Sequence, residues 1–331
     1  MKKKSNFFII LLLFILGGCS YPSGKNMHMN ISPDNQEIVM QWCYKEYPCT
    51  ISLYNIHEQN SLLIPNNTNY SWGMPVFHPN GQEIAITAYD AQKKQSNLAI
   101  IKKDGSDFRL ITKGEGLRGY PSFSRDGKWV IYSKNTTTQV NFEGKLRYYD
   151  YEIFKVSTEE SKEIRLTQHN FFRAFNPYFI DEDNNFIFEG IIGKVFDTIY
   201  TLKPDNSLKK ISFNEFQPAS AHVSNNYTHV YLVNTNDIDN ARGPYNYDLY
   251  IKDKNTLKRL TQLSTYMCSY AISPNGENIA FFSDKERSRN CELFIMESNG
   301  ENIRKLNIPR KPKNWDTYEW QKSVPTNHSK P

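Results

Sequence analysis

A short phrase that recurs along the chain constrains its fold more than any other feature. The phrase runs from a small residue or proline through a large apolar residue, Ser, Pro, Asp or Asn and Gly into an apolar β run. Clear copies occupy residues 75–81, 121–127 and 271–276, and weaker copies occupy residues 31–35, 177–181 and 222–226. With the Ser position as a marker, the copies lie at residues 32, 78, 124, 180, 224 and 273, a spacing of 44 to 56 residues.

Each copy of the phrase predicts a tight turn between two β-strands. Proline presets φ, Asp or Asn caps the turn, and Gly accepts a positive φ. A short fourth strand usually ends in Leu-Thr or a relative of it, and third strands are expected at residues 98–102, 152–156, 198–202, 248–251 and 292–296. Four-stranded units that recur about every 40–45 residues are typical of propeller blades. The sequence therefore predicts an all-β, six-bladed β-propeller of four-stranded antiparallel blades.

The four-stranded unit and its Ser-Pro-Asp-Gly turn resemble the propeller of the TolB family of periplasmic proteins. The resemblance covers residues 27–321. It is specific for the fold and weak for a function, because the same repeat occurs in oligogalacturonate lyases and in the propellers of prolyl-oligopeptidase-type peptidases. TolB carries an α/β domain ahead of its propeller, and nothing of that size fits between Cys19 and Ile31. The resemblance implies a TolB-like (WD40-like repeat) propeller that lacks this domain.

The N-terminus has the three parts of a lipoprotein signal. Three lysines at positions 2–4 precede the apolar run at residues 7–16, and Gly17-Gly18-Cys19 follows at once. The run is shorter than the roughly 20 apolar residues that cross a bilayer core. We expect a signal peptide at 1–18, a tether lipidated on Cys19 at 19–26, the propeller at 27–321 and a disordered tail at 322–331. By resemblance to enterobacterial sorting rules, Ser20 implies a lipid anchor in the outer membrane, facing the periplasm.

The charge of the mature chain argues against nucleic acid as a partner. Removal of residues 1–18 takes away three lysines, so the formal net charge falls from +5 to +2. A chain so close to neutral has no overall attraction to a phosphate backbone. The lipoprotein signal places the protein in the cell envelope, where the lipid anchor makes the membrane one partner.

The four cysteines that remain after Cys19 are expected to form two disulfides in an oxidising compartment. Cys43 and Cys49 flank a short turn between a second and a third strand. Facing residues there fall inside the Cα separation of about 4.4–6.8 Å that a disulfide spans. Cys268 and Cys291 begin the first and third strands of the sixth unit, so residue 291 must curl inward past the second strand to bond.

The sequence lacks the familiar catalytic motifs. It contains no G-x-S-x-G, H-E-x-x-H, paired C-x-x-C or EF-hand pattern, so no catalytic residue, metal or cofactor is expected. Propeller blades nevertheless converge on an axis, where oligogalacturonate-lyase-like propellers use a metal held by His and Gln. His169 and His222 are the histidines that could contribute to such a site.

Binding is expected where the first strands of the blades begin, around the mouth of the central channel. Long loops between second and third strands, predicted at residues 134–147 and 234–246, lie on that same face. Tyr, Trp and Arg are also enriched at binding hot spots. The residues expected at the mouth are Trp72, Arg118, Tyr120, Arg173, Asn176 and His222.

These observations lead to one main hypothesis and two alternatives. The main hypothesis is a non-catalytic, membrane-anchored propeller that binds an envelope protein or peptide at the channel mouth. The resemblance to TolB implies a partner like the peptidoglycan-associated lipoprotein. The alternatives are a carbohydrate-active enzyme resembling oligogalacturonate lyase and a glycan-binding propeller. Three or more His, Gln or carboxylate side chains meeting on the axis would favour the enzyme.

The C-terminus is expected to close the ring. Gln321 lies 48 residues after Ser273, in phase with the markers, and TolB also ends in an innermost-type strand. Residues 27–31 are then either the first strand of the first blade, with residues 316–321 beside them, or displaced from the inner position. We favour the C-terminal segment as the innermost strand. The aromatic residues expected to pack between adjacent blades are Phe77, Phe123, Phe179 and Trp320.

Cys19→Ala tests the lipid anchor. Because the thiol is the group that is joined to diacylglycerol, the variant is expected to lose palmitate labelling and to accumulate as an uncleaved or soluble species. Metabolic labelling followed by membrane fractionation measures both effects against the parent protein. Continued palmitate labelling of the variant would reject the assignment.

Overall fold

A computed structural model describes residues 28–44, 47–169, 171–192, 198–213, 218–235, 246–254, 256–284, 291–309 and 311–319. The strands form six four-stranded antiparallel sheets, each built from four strands that are consecutive in the chain. The six-bladed propeller predicted from the repeat is therefore confirmed. Within the described residues, no helix is both long and apolar enough to cross a membrane.

The strands of each blade are numbered from the axis outward. Blade 1 contains β1 (Met29–Ile31), β2 (Glu37–Tyr44), β3 (Tyr47–Asn55) and β4 (Asn60–Leu63). Blade 2 contains β5 (Ser71–Phe77), β6 (Glu83–Asp90), β7 (Gln95–Lys102) and β8 (Arg109–Leu110). Blade 3 contains β9 (Arg118–Phe123), β10 (Trp129–Val140), β11 (Leu146–Ser157) and β12 (Glu163–Arg165). Blade 4 contains β13 (Arg173–Phe179), β14 (Phe186–Ile191), β15 (Thr198–Leu202) and β16 (Leu208–Lys210). Blade 5 contains β17 (Pro218–Val223), β18 (His229–Asn234), β19 (Tyr247–Asp253) and β20 (Thr256–Arg259). Blade 6 contains β21 (Tyr266–Ile272), β22 (Asn278–Asp284), β23 (Glu292–Glu297) and β24 (Arg304–Leu306).

Apolar packing between adjacent blades forms the core. Each first strand contacts the first strands of the two neighbouring blades, which places all six around one axis. Six clusters of buried side chains lie between the blades, one for each pair of neighbours, including blades 6 and 1. Phe77, Phe123 and Phe179 belong to these clusters, as expected, whereas Trp320 lies outside the described residues. A blade therefore buries both faces only when its two neighbours are in place.

The recurring phrase forms the turn between the first and second strands, and its serine organises that turn. In blade 3 the Ser124 hydroxyl donates to Asp126 at 2.6 Å and accepts the Trp129 amide at 3.0 Å. Gly127 has φ +73°, and a Cβ atom there would collide with the His78 ring of blade 2. Glycine is therefore required both by the turn and by the close approach of two blades.

The Leu-Thr pairs lie directly after the fourth strands and fasten them to the third strands. In blade 5, Thr261 Oγ1 accepts the Leu249 amide at 3.0 Å and donates to the fully buried Asp248. Arg259 pairs with the same carboxylate at 2.7 Å. The same arrangement recurs in blade 3 with Thr167, Glu152 and Arg165. Side chains therefore reinforce a short edge strand that has few ladder hydrogen bonds of its own.

The prediction that the C-terminal segment supplies an innermost strand is wrong for the described residues. β1 holds the inner position of blade 1 and pairs with β2. The two strands are joined by one tight turn, so their pairing closes only a short loop. The described residues 311–319 contain no strand, and they lie against the outer strand of blade 1, where the Lys313 amide donates to the Ser61 carbonyl at 2.8 Å. Each blade is therefore a continuous stretch of chain, and blades 6 and 1 meet by packing.

The chain that leaves blade 6 reinforces this junction. We call residues 307–309 and 311–319 the C-terminal clasp; it includes a 3-10 turn at Trp315–Thr317. Tyr54 Oη donates to the Asn307 carbonyl at 3.1 Å. Asn314 binds Leu63 of β4 twice, because its Oδ1 accepts the amide at 2.8 Å and its Nδ2 donates to the carbonyl at 3.0 Å. One asparagine side chain thus forms, on the outer edge of blade 1, two hydrogen bonds of the kind that a further strand would form.

The structure contains the two disulfides that were expected from the sequence. Cys43 and Cys49 link β2 to β3, with their Cα atoms 4.2 Å apart. Cys268 and Cys291 link the start of blade 6 to its third strand, with Cα atoms 6.5 Å apart, and both pack against the cluster between blades 6 and 1. Cys291 lies just before β23 begins, so the bond spans the intervening strand.

Asn314→Ala tests the C-terminal clasp. The substitution leaves the Leu63 amide and carbonyl without their side-chain partner, so the free energy of unfolding is expected to fall by about 1–3 kcal/mol. Asp316→Ala is the matched control, because its side chain is 91% exposed and its carboxylate makes a surface ion pair of 3.9 Å, and such pairs contribute little. Urea unfolding measures both variants. Equal stabilities of the two would contradict a closing role for the clasp.

Candidate binding site at the channel mouth

A β-bulge in the first strands turns side chains towards the axis. Register shifts occur in the first strands of blades 2 to 6. Four residues before the marker, Met74, Tyr120 and Asn176 adopt φ of +47°, +57° and +47°, a backbone region uncommon for residues with side chains. The equivalent residue of blade 1 is His28, whose ring lies 5.7 Å from that of Tyr120 two blades away. This repeat position therefore points at the axis.

Aromatic rings from five blades meet on the axis. We call them the axial ring cluster: His28, Tyr120, Phe175, Tyr178, His222 and Tyr270. The Tyr120 and Phe175 ring centres are 4.9 Å apart, and the His222 ring stacks on Tyr270 at 4.1 Å. Tyr178 contacts the other side of this stack, 5.0 Å from His222. The cluster occupies the centre of the ring, so a ligand at the mouth would rest on aromatic rings.

A carboxylate from a second strand connects the axial residues of blades 4 and 5. Glu189 Oε1 accepts hydrogen bonds from Asn176 Nδ2 at 2.8 Å and from Ser220 Oγ at 2.6 Å. Ser220 also accepts from Tyr270 Oη at 3.3 Å. Asn176 is therefore part of a polar network under the rings, and this network fixes the bulged backbone.

The two axial histidines are neutral at ordinary pH. Burial lowers the pKa of His28 to about 4. Burial, together with the nearby His28, lowers the pKa of His222 to about 3. Both imidazoles are therefore uncharged where they pack against the tyrosine rings, because burial removes the water that would solvate a protonated ring.

Arginine and aromatic rings line the mouth above this cluster. The Arg173 guanidinium lies 5.8 Å from the ring centres of both Phe172 and Phe175. Phe172 is 39% exposed, and Tyr151 supports Phe175 from the side with ring centres 5.5 Å apart. We call Tyr120, Phe172, Arg173 and Phe175 the mouth surface; it combines a cation with apolar rings, and flat rings with guanidinium groups are typical of protein-binding hot spots.

Four of the six expected mouth residues lie at the mouth or on the axis, namely Tyr120, Arg173, Asn176 and His222. The expectation was wrong for the other two. Trp72 is fully buried between blades 1 and 2, because a first strand also presents side chains to its neighbouring blade. Arg118 is 2% exposed, and its guanidinium pairs with Glu163 at 3.0 Å while donating to the carbonyl of Lys113. That arginine holds the chain between blades 2 and 3 and is not free to bind a partner.

Several members of the site were not predicted from the sequence: His28, Phe172, Phe175, Tyr178, Glu189 and Tyr270. Aligning the residue four places before each marker would have found His28, since Tyr120 and Asn176 occupy the same repeat position. Nothing in the sequence distinguishes Glu189 from other strand glutamates, because its role depends on two neighbouring blades. The expected loop at residues 134–147 is in fact an extension of β10 and β11, and most of the loop at 234–246 lies outside the described residues.

The described residues contain no group of three His, Cys, Asp or Glu side chains placed to hold one metal ion. His169 lies apart from the axial ring cluster, with its ring 5.9 Å from that of Phe171. The two histidines considered as ligands are therefore not brought together.

Comparisons with known proteins show the fold. No family model matches the chain, and no curated protein matches its sequence. TolB from Acinetobacter baumannii is similar in structure, with a TM-score of 0.58 and 19% identity, over 88% of this chain and 65% of that one. The chain thus spans 65% of the length of that TolB and has its propeller fold. An oligogalacturonate lyase from Vibrio parahaemolyticus matches with a TM-score of 0.56 and 10% identity, over 87% of this chain and 79% of that one.

A third similar structure is an isolated propeller domain. The β-propeller domain of the trilobed protease from Pyrococcus furiosus matches with a TM-score of 0.54 and 12% identity, over 88% of this chain and 98% of that one. It is described as having an open velcro topology. The six blades built here from consecutive strands have no strand shared between the two ends of the described chain.

His222→Phe tests the neutral state of the axial histidines. Both folded pKa values lie below the ordinary 6.5, so the unfolded chain binds protons first as the pH falls. Stability is therefore full above about pH 7 and is lost through the window from 6.5 down to 4 and 3, by about 1–3 kcal/mol per histidine. The variant keeps a ring but cannot be protonated, so it should lose less stability between pH 7.5 and 4.5.

Urea unfolding at the two pH values measures this difference, and His57→Gln is the control because His57 is exposed. A His222→Phe protein with the same pH dependence as the parent would contradict the assignment.

Proposed function

We propose that this protein is a lipid-anchored, non-catalytic propeller of the cell envelope that binds an envelope protein or peptide at the channel mouth. The observation that carries the proposal is the mouth surface, where Tyr120, Phe172, Arg173 and Phe175 combine three rings with one guanidinium. The fold shared with TolB supports the class of partner, and the signal at residues 1–19 supports the location.

The geometry favours a partner that rests on the surface over one that threads through the ring. The axial ring cluster occupies the centre, with the His222 and Tyr270 rings 4.1 Å apart. Among the described residues, no carboxylate pairs with Arg173, and its charge faces the mouth over two phenylalanines. A peptide carboxylate beside an apolar side chain fits this surface, because the guanidinium would bind the acid in two hydrogen bonds while the rings cover the apolar group. A partner similar to the peptidoglycan-associated lipoprotein is the specific candidate.

A carbohydrate-active or glycan-binding role is the second candidate. The neutral imidazoles of His28 and His222 on an aromatic axis favour it, since aromatic rings also stack on sugars. This candidate predicts that oligogalacturonate is cleaved or bound at the axis. Phe172 and Arg173, which belong to the mouth surface but not to the axial ring cluster, would then be dispensable.

Arg173→Ala tests the protein-binding proposal. The variant removes the cation but leaves the rings, so cross-linking of the lipidated protein to its envelope partner is expected to fall by at least about tenfold, as for a hot-spot arginine. Arg125→Ala is the matched control, because Arg125 is exposed in the turn of blade 3 on the opposite face.

Quantitative cross-linking in intact cells, followed by mass spectrometry, measures the yield for both variants. Equal yields would reject the mouth as the binding site. Cleavage of oligogalacturonate by the purified protein would replace the proposal by the second candidate.

A further inference from the structure

A β-hairpin stands out from the face on which the first strands begin. β9 starts at Arg118, which is paired with Lys134. β10 continues to Val140, and β11 begins opposite it at Leu146. The two strands therefore extend six residues past the start of β9, a length of about 20 Å at 3.4 Å per residue. Tyr148 and Leu146 on this extension pack against the cluster between blades 3 and 4. We call residues 135–151 the blade 3 finger.

The finger is a built structure with a fixed base. Asn135 Oδ1 accepts the Leu117 amide at 2.6 Å, and Thr136 Oγ1 donates to the Asp150 carbonyl at 2.7 Å. Tyr148 is 8% exposed and donates from its hydroxyl to the Lys94 carbonyl of blade 2. The finger is therefore attached to two blades, which fixes the direction in which it points.

The tip presents apolar side chains to the surroundings. Asn141 Oδ1 accepts the amides of Glu143 at 3.0 Å and of Lys145 at 2.8 Å, which closes the turn. The turn leaves Phe142 97% exposed, and Val140 on the adjoining strand is 65% exposed. An ordered turn therefore holds an apolar ring in water at the tip, beside a second exposed apolar side chain.

The start of the described chain lies on the same face as the finger. His28 directly precedes β1 at the end where the first strands begin, and its carbonyl accepts the Gln41 amide. Eight residues, 20–27, separate it from Cys19. Nine peptide steps span at most about 30 Å. A lipid on Cys19 would therefore hold this face towards the membrane, at most about 30 Å from it. The finger, about 20 Å long, lies on the same face.

We infer that the tip of the blade 3 finger inserts Phe142 and Val140 into the headgroup region of the bilayer to which Cys19 is anchored. This inference rests on the lipid anchoring in the proposed function. It deepens that function, because a finger and a tether on one face fix the channel mouth towards the membrane. The partner of the mouth is then a protein that reaches the same membrane surface.

The charges at the tip indicate that apolar contact dominates. Lys145 pairs with Glu143 at 2.9 Å, which leaves Arg147 as the one uncompensated charge on the described residues 140–147. Attraction to anionic lipid is therefore weak, while a phenylalanine at the interface gains from leaving water. Insertion is expected to depend little on salt and on the fraction of anionic lipid.

Phe142→Trp reports whether the tip enters the bilayer. The lipidated full mature chain is reconstituted into vesicles of phosphatidylethanolamine and phosphatidylglycerol with brominated acyl chains. The added tryptophan fluorescence, taken as the difference from the parent, is expected to shift to the blue and to lose at least about half its intensity. Ile303→Trp is the matched control, because Ile303 is 44% exposed in the turn after β23, on the opposite face. Its signal is expected to be the same with and without brominated lipid.

A Phe142→Trp signal that brominated lipid does not quench, or that is quenched no more than Ile303→Trp, would overturn the inference. That result, with palmitate labelling and partner cross-linking intact, would leave the proposed function standing and assign the tip to a protein surface. If the parent protein carried no palmitate label while residue 142 was still quenched, the lipid anchor would be rejected and the tip would remain a membrane contact. Phe142→Ser and Ile303→Ser in the unacylated mature chain extend the test, with at least about tenfold weaker vesicle binding expected only for Phe142→Ser.

Discussion

The packing of one blade against the next is the interaction on which the rest of this structure depends. A four-stranded sheet has two faces, and in this chain both faces carry apolar side chains that only the neighbouring blades can cover. Such a sheet is not stable alone, because exposing either face forfeits the free energy gained by removing apolar surface from water. Gly127 and Gly276 belong to the same constraint, since a Cβ atom at either position would collide with the turn of the preceding blade.

Closure of the ring is where this constraint is most demanding, because two blades distant in the sequence must meet. No described strand is shared between the two ends, so blades 6 and 1 rely on one apolar cluster and on the polar contacts of the C-terminal clasp. The Cys268–Cys291 pair packs against that cluster. The junction therefore combines apolar packing and side-chain hydrogen bonds in place of strand pairing, and the disulfide within blade 6 stiffens one side of it.

The site follows from the same arrangement of blades. Six first strands around one axis bring residues of equal repeat position to one place, although they lie about 45 to 55 residues apart in the chain. The bulge at that position aims rings inward, and burial keeps His28 and His222 uncharged among them. The exposed groups around this centre, mainly Arg173 and Phe172, are available to contact a partner. The finger of blade 3 rises from the same face, so membrane contact and partner binding share one side of the molecule.

The sequence by itself determined the number of blades, the strands in each and both cysteine pairings, because turns and strand patterns are local and repeat in phase. It also placed Tyr120 and Asn176 at the channel mouth, since the opening residues of the first strands line it. It could not assign Trp72 and Arg118, because a strand residue faces either the axis or a neighbouring blade according to a bulge of one residue. It likewise predicted a closing strand from the phase of residue 321, whereas β1 holds the inner edge of blade 1 and Asn314 binds its outer strand. Only the tertiary structure decided these points, because each depends on the free energy of packing between segments far apart in the chain.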